Sequence, residues 1–501
     1  MDYVIGCDVG SQSTKVLLLS LDGQIVGEAA ADYSIDYPQP VWAEQPVERW
    51  TTALERSLRQ LLAESGVGAG RIRALGLASQ VEGVVPVDAA GQPLRPAIIW
   101  MDRRAEPQCQ RVRQAVGDET VFDLTGLNLD PSHVAPKMRW IADNEPELFA
   151  RAACLHLPGS YLGFYLTGET AVDYSIASAT LLLDIRTRAW SSAMCGHFGI
   201  DAALLPRLRP ATSPLGRLRA NIAEAVGLSA DTMIVVGSGD EHAACLGAGV
   251  ISAGLIGDIA GTSEPVCAAV AAPAFDPTHL VETHCHADPD LWLLENPGFV
   301  SGANYRWLRD QFGGEELRAA AAGGASAYAR LDALAADIQP GAEGLIFLPS
   351  LMGATSPTWN EAARGAFSGF TLAHTRAHFT RAVLEGSAYA VRAITDQMQA
   401  IGLGAREMRV MGGGARSALW NQIKADVTGL PIGVPEATET TALGAALLAL
   451  VGCGEYATLA EACPRVVRLP RRYEPRQSAQ AAYAEAYGLF RRVYASLETV
   501  F

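Results

Sequence analysis

The sequence is poor in several features that would settle its class early. Its nine cysteines are scattered with no CxxC pair, which points to reduced thiols and not to a disulfide frame. No apolar run approaches bilayer length; the longest, such as ALGAALLALVG, stop far short. The opening MDYVIGCDVG has neither a basic n-region nor an h-region of signal-peptide size, so a cytoplasmic location without a membrane partner is expected. Basic residues are outnumbered: 39 Lys and Arg face 54 Asp and Glu, a net charge of −15. Such a surface repels a phosphate polymer, which excludes nucleic acid as the expected partner. Any phosphate bound here must be held by local amides and a metal. The chain also lacks a Walker-type loop and a GxGxxG turn, so neither a P-loop nor a dinucleotide fold is supported.

What is present reads as a soluble α/β protein. Half the residues are hydrophobic (49%) and 19% are charged, an ordinary globular profile. At 501 residues, two domains are the default. YVIGCDVG and TKVLLLSLD predict two strands joined by a tight turn over Gly10–Thr14. Asp22-Gly23 then signals a hairpin into a third strand, QIVGEAAADY. The Gly10 turn therefore joins two antiparallel strands, and its amides form an outward nest. The pattern returns half a chain later in LIGDIAGTSEPVCAAV: a strand, Asp258, the turn Gly261-Thr262-Ser263 and another strand. Two domains on one plan, each offering a phosphate turn to a shared cleft, is the reading; two unrelated Gly-containing hairpins is the alternative.

Two further loops fit it. IVVGSGDEHAACLGAG is an apolar strand, a Gly-Ser-Gly turn and Asp240 at the start of a small-residue helix. MRVMGGGARSALWNQIKADVTG is a strand, three glycines and an amphipathic helix from about Ser417. Consecutive glycines let a flat ligand approach the backbone, and a helix N-terminus favours an anion. In isolation Asp240 reads equally well as a helix N-cap. THCHAD (Thr283–Asp288) would put His284 and His286 on one strand face, but no completing pair stands at a familiar metal spacing. The Ala/Gly-rich GGEELRAAAAGGASAYARLDALAADIQPGAEG reads as an exposed helical excursion, and the aromatic C-terminal segment as a docking helix.

Taken together, DVGSQSTK, GDIAGTSE, GAFSGFTLAHTRAHFTRAVLEGSAY, GGGARSALWNQIKADVTGLPI and ATETTALGAALLA resemble, in order, segments of the FGGY family of carbohydrate kinases. The resemblance implies two ribonuclease-H-like domains of the actin-like ATPase fold with a nucleotide and sugar cleft between them, divided at 1–246 and 247–501. It implies ATP and Mg²⁺, and a small sugar or polyol as acceptor; a homodimer is left open. It gives Asp240 the role of base toward the acceptor hydroxyl and Asp8 support of the magnesium–phosphate assembly. Gly10, Ser11, Gln12, Ser13 and Lys15 fall on the first phosphate loop, and Gly261, Thr262 and Ser263 on the second. Gly302, Gly412, Gly413 and Gly414 match nucleotide contacts. Gln80, Val81, Glu82, Trp100, Asp102, Ser132, His133 and Glu241 match the substrate side.

The chain is most similar to the xylulose kinase branch, so transfer to a ketopentose is the expectation. Glu82, however, stands where that branch has histidine and resembles the glycerol kinase branch, and Glu241 replaces an amide. Carboxylates only accept, so the acceptor must donate hydroxyls, as a ketose or polyol can. A polyol kinase, a non-catalytic sugar-binding relative and a protein-directed ATPase of the same fold are the alternatives.

Overall fold

Two mixed sheets of the same topology form the backbone of the computed structural model, which describes residues 1–355 and 358–501. In the first, β1 (Tyr3–Val9), β2 (Ser13–Ser20) and β3 (Ile25–Asp32) form an antiparallel meander. On the other side of β1, β4 (Ile72–Ser79) and then β6 (Met233–Val235) run parallel to it, and β5 (Pro214–Arg217) closes the edge antiparallel. The second sheet repeats this. β7 (Leu255–Ile259) pairs antiparallel with β8 (Ser263–Val270), which pairs with β10 (Trp292–Val300) and, beyond it, β9 (Glu282–Cys285). β11 (Glu407–Met411) and β12 (Ile432–Val434) lie parallel on the far side, and β13 (Arg471–Tyr473) is the antiparallel edge. The fold is the two-domain, actin-like α/β architecture that the sequence implies.

Burial explains the strand sequences. The central strands are covered on both faces, so they read as continuous apolar runs, IGCDV and VLLLS, and do not alternate. One face of the first sheet packs on the helix Val47–Ser65 through Trp50, Leu54, Leu58 and Leu61. The opposite face is closed by a helix from the far end of the chain. Helix α1 (Asp240–Gly247) follows the first sheet yet packs on the second, its Ala244 and Cys245 meeting Cys267, Ala269 and Leu293. Helix α2 (Thr440–Gly452) follows the second sheet yet packs on the first, against Val4, Leu17, Leu19 and Ala74. The lobes thus exchange helices.

The exchange works because glycines stand at the crossing points. A Cβ at Gly6 on β1 would lie 1.9 Å from Ala442 O, and one at Gly76 on β4 1.9 Å from Ala445 O. Where α1 crosses α2, a Cβ at Gly247 would lie 1.9 Å from Thr440 O and one at Gly444 1.9 Å from Ala243 O. Backbone therefore lies on backbone, which only glycine permits.

The peripheral segments follow their patterns. The C-terminal helix Gln477–Leu497 docks through Tyr483, Tyr487, Phe490 and Tyr494, with Tyr483 receiving Arg381 Nη2 at 2.7 Å. The Ala/Gly-rich excursion forms two helices, Gly314–Ala321 and Ala327–Ala336; the second buries Leu331 and Ala335, so it is only partly exposed. The nine cysteines are free thiols. No helix among the described residues is long and apolar enough to cross a membrane.

Candidate active site

The Gly10–Ser13 turn is built so that its carbonyls point into the protein. Gly10 N–H donates to Ser13 O at 3.0 Å, closing the hairpin. Tyr33 Oη donates to Gly10 O at 2.6 Å and to Ser13 O at 3.1 Å, and Tyr33 N–H to Gln12 O at 2.9 Å. Gln45 Nε2 holds Ser11 O at 2.7 Å, and Gln80 Nε2 reaches Gly10 O at 3.3 Å. With every carbonyl from Gly10 to Ser13 occupied and the Gly10 amide used to close the hairpin, the amides of Ser11, Gln12 and Ser13 are left for an anion. Gln80 is buried and its Nε2 also bonds Gln45 Oε1 at 3.0 Å, so it braces this turn, while its Oε1 has no hydrogen-bond partner. Trp100 is 42% exposed and donates through Nε1 to Ser11 Oγ at 2.7 Å, placing it too against the phosphate turn. Lys15 does not face the turn's amides. Its Nζ lies 2.6 Å from Glu439 Oε2 at the head of α2, an ion pair between lobes.

Strand register brings the two aspartates to one level. Ala78 on β4 pairs with Asp8 on one side and with Ser238 on the other, and Asp240 follows two residues on at the start of α1. Asp8 Oδ1 is buried without a hydrogen-bond partner. Burial above all pushes Asp8 up to about 7; Lys15 opposes the shift and Glu439 adds to it. Asp240 accepts Glu241 N–H at 3.0 Å on Oδ1. Its carboxyl is held well above the usual range by burial, then by the charges of Glu241 and Asp8.

The second turn mirrors the first. Gly261 N–H donates to Ser263 O at 3.0 Å, and Thr262 O receives the Ser301 and Ala303 amides, both at 3.2 Å. A Cβ at Gly302 would fall 2.1 Å from Gly261 O, so the helix Gly302–Phe312 starts directly on the turn. Gly412, at φ 80°, and Gly414 lie over Ala260, whose carbonyl accepts Gly414 N–H at 2.9 Å, while Gly413 faces open space. The second lobe therefore gathers Gly261, Thr262, Ser263, Gly302 and Gly412–Gly414 in one place.

The symmetry stops at the acids. Asp258 occupies on β7 the place of Asp8 on β1, but Lys424 Nζ lies 2.5 Å from its Oδ2 and also contacts Glu264. All three are fully buried and no sequence pattern signalled Lys424. One acid is neutralised and the other left open.

On the acceptor side, Glu82 sits at φ 59°, a strained conformation for a non-glycine residue. Lys137 holds it there: its buried Nζ donates to Glu82 O at 2.7 Å and also to Ser132 O. The Glu82 carboxylate lies 2.7 Å from His133 Nδ1. Burial alone would discharge His133, but Glu82 beside it raises it to about 9, while burial lowers Lys137 to about 8. Val81 packs on Gly239, immediately before Asp240. Asp102 departs from the expectation. It is fully buried, its oxygens taken by Arg104 at 2.7–3.0 Å and by Ala43 N–H at 2.7 Å, so it has nothing left for a sugar. Ser132 Oγ is turned to Asp130 Oδ1 at 2.6 Å.

Glu241 meets a residue with no place in the sequence pattern: Glu295 of β10, whose carboxyl is within hydrogen-bonding reach of it. His284 Nε2 lies 3.5 Å from Glu295 and 3.8 Å from Glu282. His286 is engaged elsewhere, with Nε2 at 2.9 Å from Val250 O. No group of three or more metal-capable side chains occurs among the described residues. Glu282 and Glu295 stand in strands otherwise rich in apolar residues (LVETHC, WLLENP), which is the one signal that could have marked them.

Two domain descriptions match the chain: the FGGY family of carbohydrate kinases, N-terminal domain, over residues 3–247, and its C-terminal domain over 259–453. The chain belongs to the FGGY family of carbohydrate kinases. It is 33% identical over 494 residues to the xylulose kinase of Escherichia coli (strain K12), covering 98% of this chain and 99% of that one. It is 35% identical over 476 residues to the glycerol kinase of Methylibium petroleiphilum, covering 91% and 92%. Among solved structures, the xylulose kinase from Rhodospirillum rubrum superposes with a TM-score of 0.89 at 28% identity, covering 99% of each chain. The protein is thus an ATP-dependent FGGY sugar kinase.

Proposed function

We propose that this kinase transfers the γ-phosphate of ATP to a hydroxyl of a neutral ketopentose, xylulose-like in form, with Asp240 as the general base. The observation that carries the reading is the convergence of Asp8, Asp240 and the amide turn at one end of the first sheet, with Glu82 and Glu241 next to them. Phosphoryl transfer is mainly positioning and charge neutralisation. The amides of Ser11–Ser13 and of Thr262 and Ser263, presented by the turns that Gly10 and Gly261 close, would hold the phosphate oxygens, and Gly412–Gly414 would line the adenosine side. The acceptor oxygen bonds to the γ-phosphorus as the bridge to ADP breaks, and its proton passes to Asp240, whose raised affinity suits the task. Glu82 and Glu241 would accept hydroxyl protons of the acceptor. Residues 1–246 and 247–501 are the two lobes of this reading.

The donor set also fits Mg²⁺, a hard cation that takes carboxylate and phosphate oxygens. Asp8, with a buried and unpartnered Oδ1, would hold it; bound there, the ion would neutralise phosphate charge. Its site makes a pH prediction. Asp8 sits at about 7 in the fold against about 3.9 in an unfolded chain. Ionising it therefore weakens the ligand-free protein as pH rises from about 4 through about 7. Asp8→Asn should raise the Tm of the ligand-free protein at pH 8, leave it unchanged at pH 4 and lower kcat. A Tm at pH 8 below that of the wild type would count against the placement.

A second reading, a polyol acceptor, is favoured by Glu82 and by the glycerol kinase relatives. A coupled ADP-release assay with ATP and Mg²⁺ across ketopentoses and polyols separates the two. The strongest stimulation is expected from a ketopentose; none from any acceptor would overturn the kinase reading.

A further inference from the structure

Glu241 lies one turn before Cys245 on α1, Cys245 packs with Cys267 of β8, and Cys267 is directly opposite Glu295 on β10. Helix face and strand register thus bring the Glu241 and Glu295 carboxyls together, a contact that phosphoryl transfer itself does not explain. Two carboxyl groups within hydrogen-bonding reach cannot both be ionised away from bulk water, so the pair holds one proton between them. Of the groups around it, only the His284 imidazole can also favour an ionised Glu241, and it is shared with Glu282 and Glu295. Glu282, directly opposite Glu295 across β9 and β10, already accepts Asn128 N–H at 2.8 Å and Asn128 Nδ2 at 2.9 Å. His284 stands 3.5 Å from Glu295 with neither ring nitrogen in hydrogen-bond geometry, and its ring meets that of His242, equally unpartnered, at 5.7 Å. Cys267, opposite Glu295 on β8, is a neutral thiol held so by its contact with Cys245 and by burial. From the first lobe, Asp240 and the Glu82–His133 pair face the same space.

We propose that Glu295, a second-lobe residue, is a positioning residue of the acceptor site: sharing one proton with Glu241, it keeps that carboxylate ionised and aimed at a hydroxyl of a neutral polyhydroxy acceptor. This rests on the reading that Glu241 faces the acceptor. Without Glu295, Glu241 would lose its buried donor and take up a proton itself, and the pocket would lose an acceptor. Because β8 begins in the second phosphate turn and lies beside Glu295, acceptor recognition then includes the lobe that holds ATP.

The test compares Glu295→Ala with Glu295→Gln, whose amide reproduces the donor but cannot ionise. In Glu295→Ala the acceptor KM should rise about tenfold at pH 7 with kcat within about threefold. In wild type the acceptor KM should rise on the alkaline side as the shared proton is lost; in Glu295→Gln the KM should stay within about threefold of wild type at pH 7 and that rise should vanish. Equal damage in both variants with an unchanged pH profile, or wild-type KM in both, would overturn the proposal. Should the wild type phosphorylate no acceptor, the kinase reading fails on its own. Infrared difference spectra of the ligand-free protein then decide: wild type minus Glu295→Gln should show one protonated-carboxyl stretch, and its absence overturns the shared proton.

Discussion

Asp240→Asn is expected to retain at most about one per cent of wild-type kcat while folding and binding ATP normally, because general-base assistance contributes about 10²–10⁴-fold. The substitution is nearly isosteric. An asparagine Oδ1 can still receive Glu241 N–H, the hydrogen bond that the Asp240 side chain accepts at the head of α1. What is lost is the ability to take a proton. Stability should not suffer. Burial, Glu241 and Asp8 all raise the Asp240 carboxyl, so its ionised form is the unfavourable one in the fold, and a neutral amide removes that cost as pH rises. The measurement is single-turnover phosphoryl transfer beside a thermal melt and an ATP titration. Turnover within tenfold of wild type would take the role from Asp240. A melt far below wild type would show instead that the side chain is structural.

The contrast between the lobes fits the proposed placement of Asp240 and Asp8 as acting groups in the first lobe, with no counterpart in the second. Both sheets carry an aspartate on the first strand before a glycine turn. In the second lobe Lys424 neutralises Asp258 from within the core. In the first lobe Lys15, directly opposite Asp8 across β1 and β2, pairs with Glu439 instead, leaving Asp8 Oδ1 without a partner. The duplicated plan is kept in the backbone, and the chemistry is concentrated on one side of it.

Much of this was legible in the residues. The hairpins at Gly10 and Gly261, the helix after Ser417 and Asp240 at a helix start are local patterns, set by glycine turns and apolar strands. Most positions that the sequence places differently have partners far along the chain. For Asp102 the alternative to a sugar ligand, a salt bridge to Arg103 or Arg104, is visible two residues away and is what forms, with Arg104; only the Ala43 amide comes from far along the chain. Gln80 sits beside Glu82 in sequence, but its amide points back to the Gly10 turn. Glu295 and Lys137 matter only through contacts with Glu241 and Glu82, made across a lobe boundary in one case and by a long side chain reaching back to a strained loop in the other. Spacing carries no trace of such contacts.

Gly444→Ala should destabilise the whole molecule, by about 3 kcal/mol or more, although alanine is the better helix former by about 1 kcal/mol. The added Cβ would fall 1.9 Å from Ala243 O, 2.7 Å from Ala243 C and 3.0 Å from Ala243 Cα, all backbone atoms of α1 that no rotamer change can clear. Overlap of that depth is far inside contact distance, so steric repulsion outweighs the gain in propensity and the helices must move apart. The consequence reaches both cores, since α1 is packed on the second sheet and α2 on the first. It also reaches the chemistry, since α1 begins at Asp240 and α2 follows Glu439, the partner of Lys15. Folded Gly444→Ala protein should therefore lose kcat as well as stability. Gly404→Ala is the control: a Cβ there meets nothing within 4 Å, and stability should stay within about 0.5 kcal/mol of wild type. Denaturant titrations of the two variants give the comparison, and a Gly444→Ala protein as stable as the control would mean that the lobes are not locked by their exchanged helices.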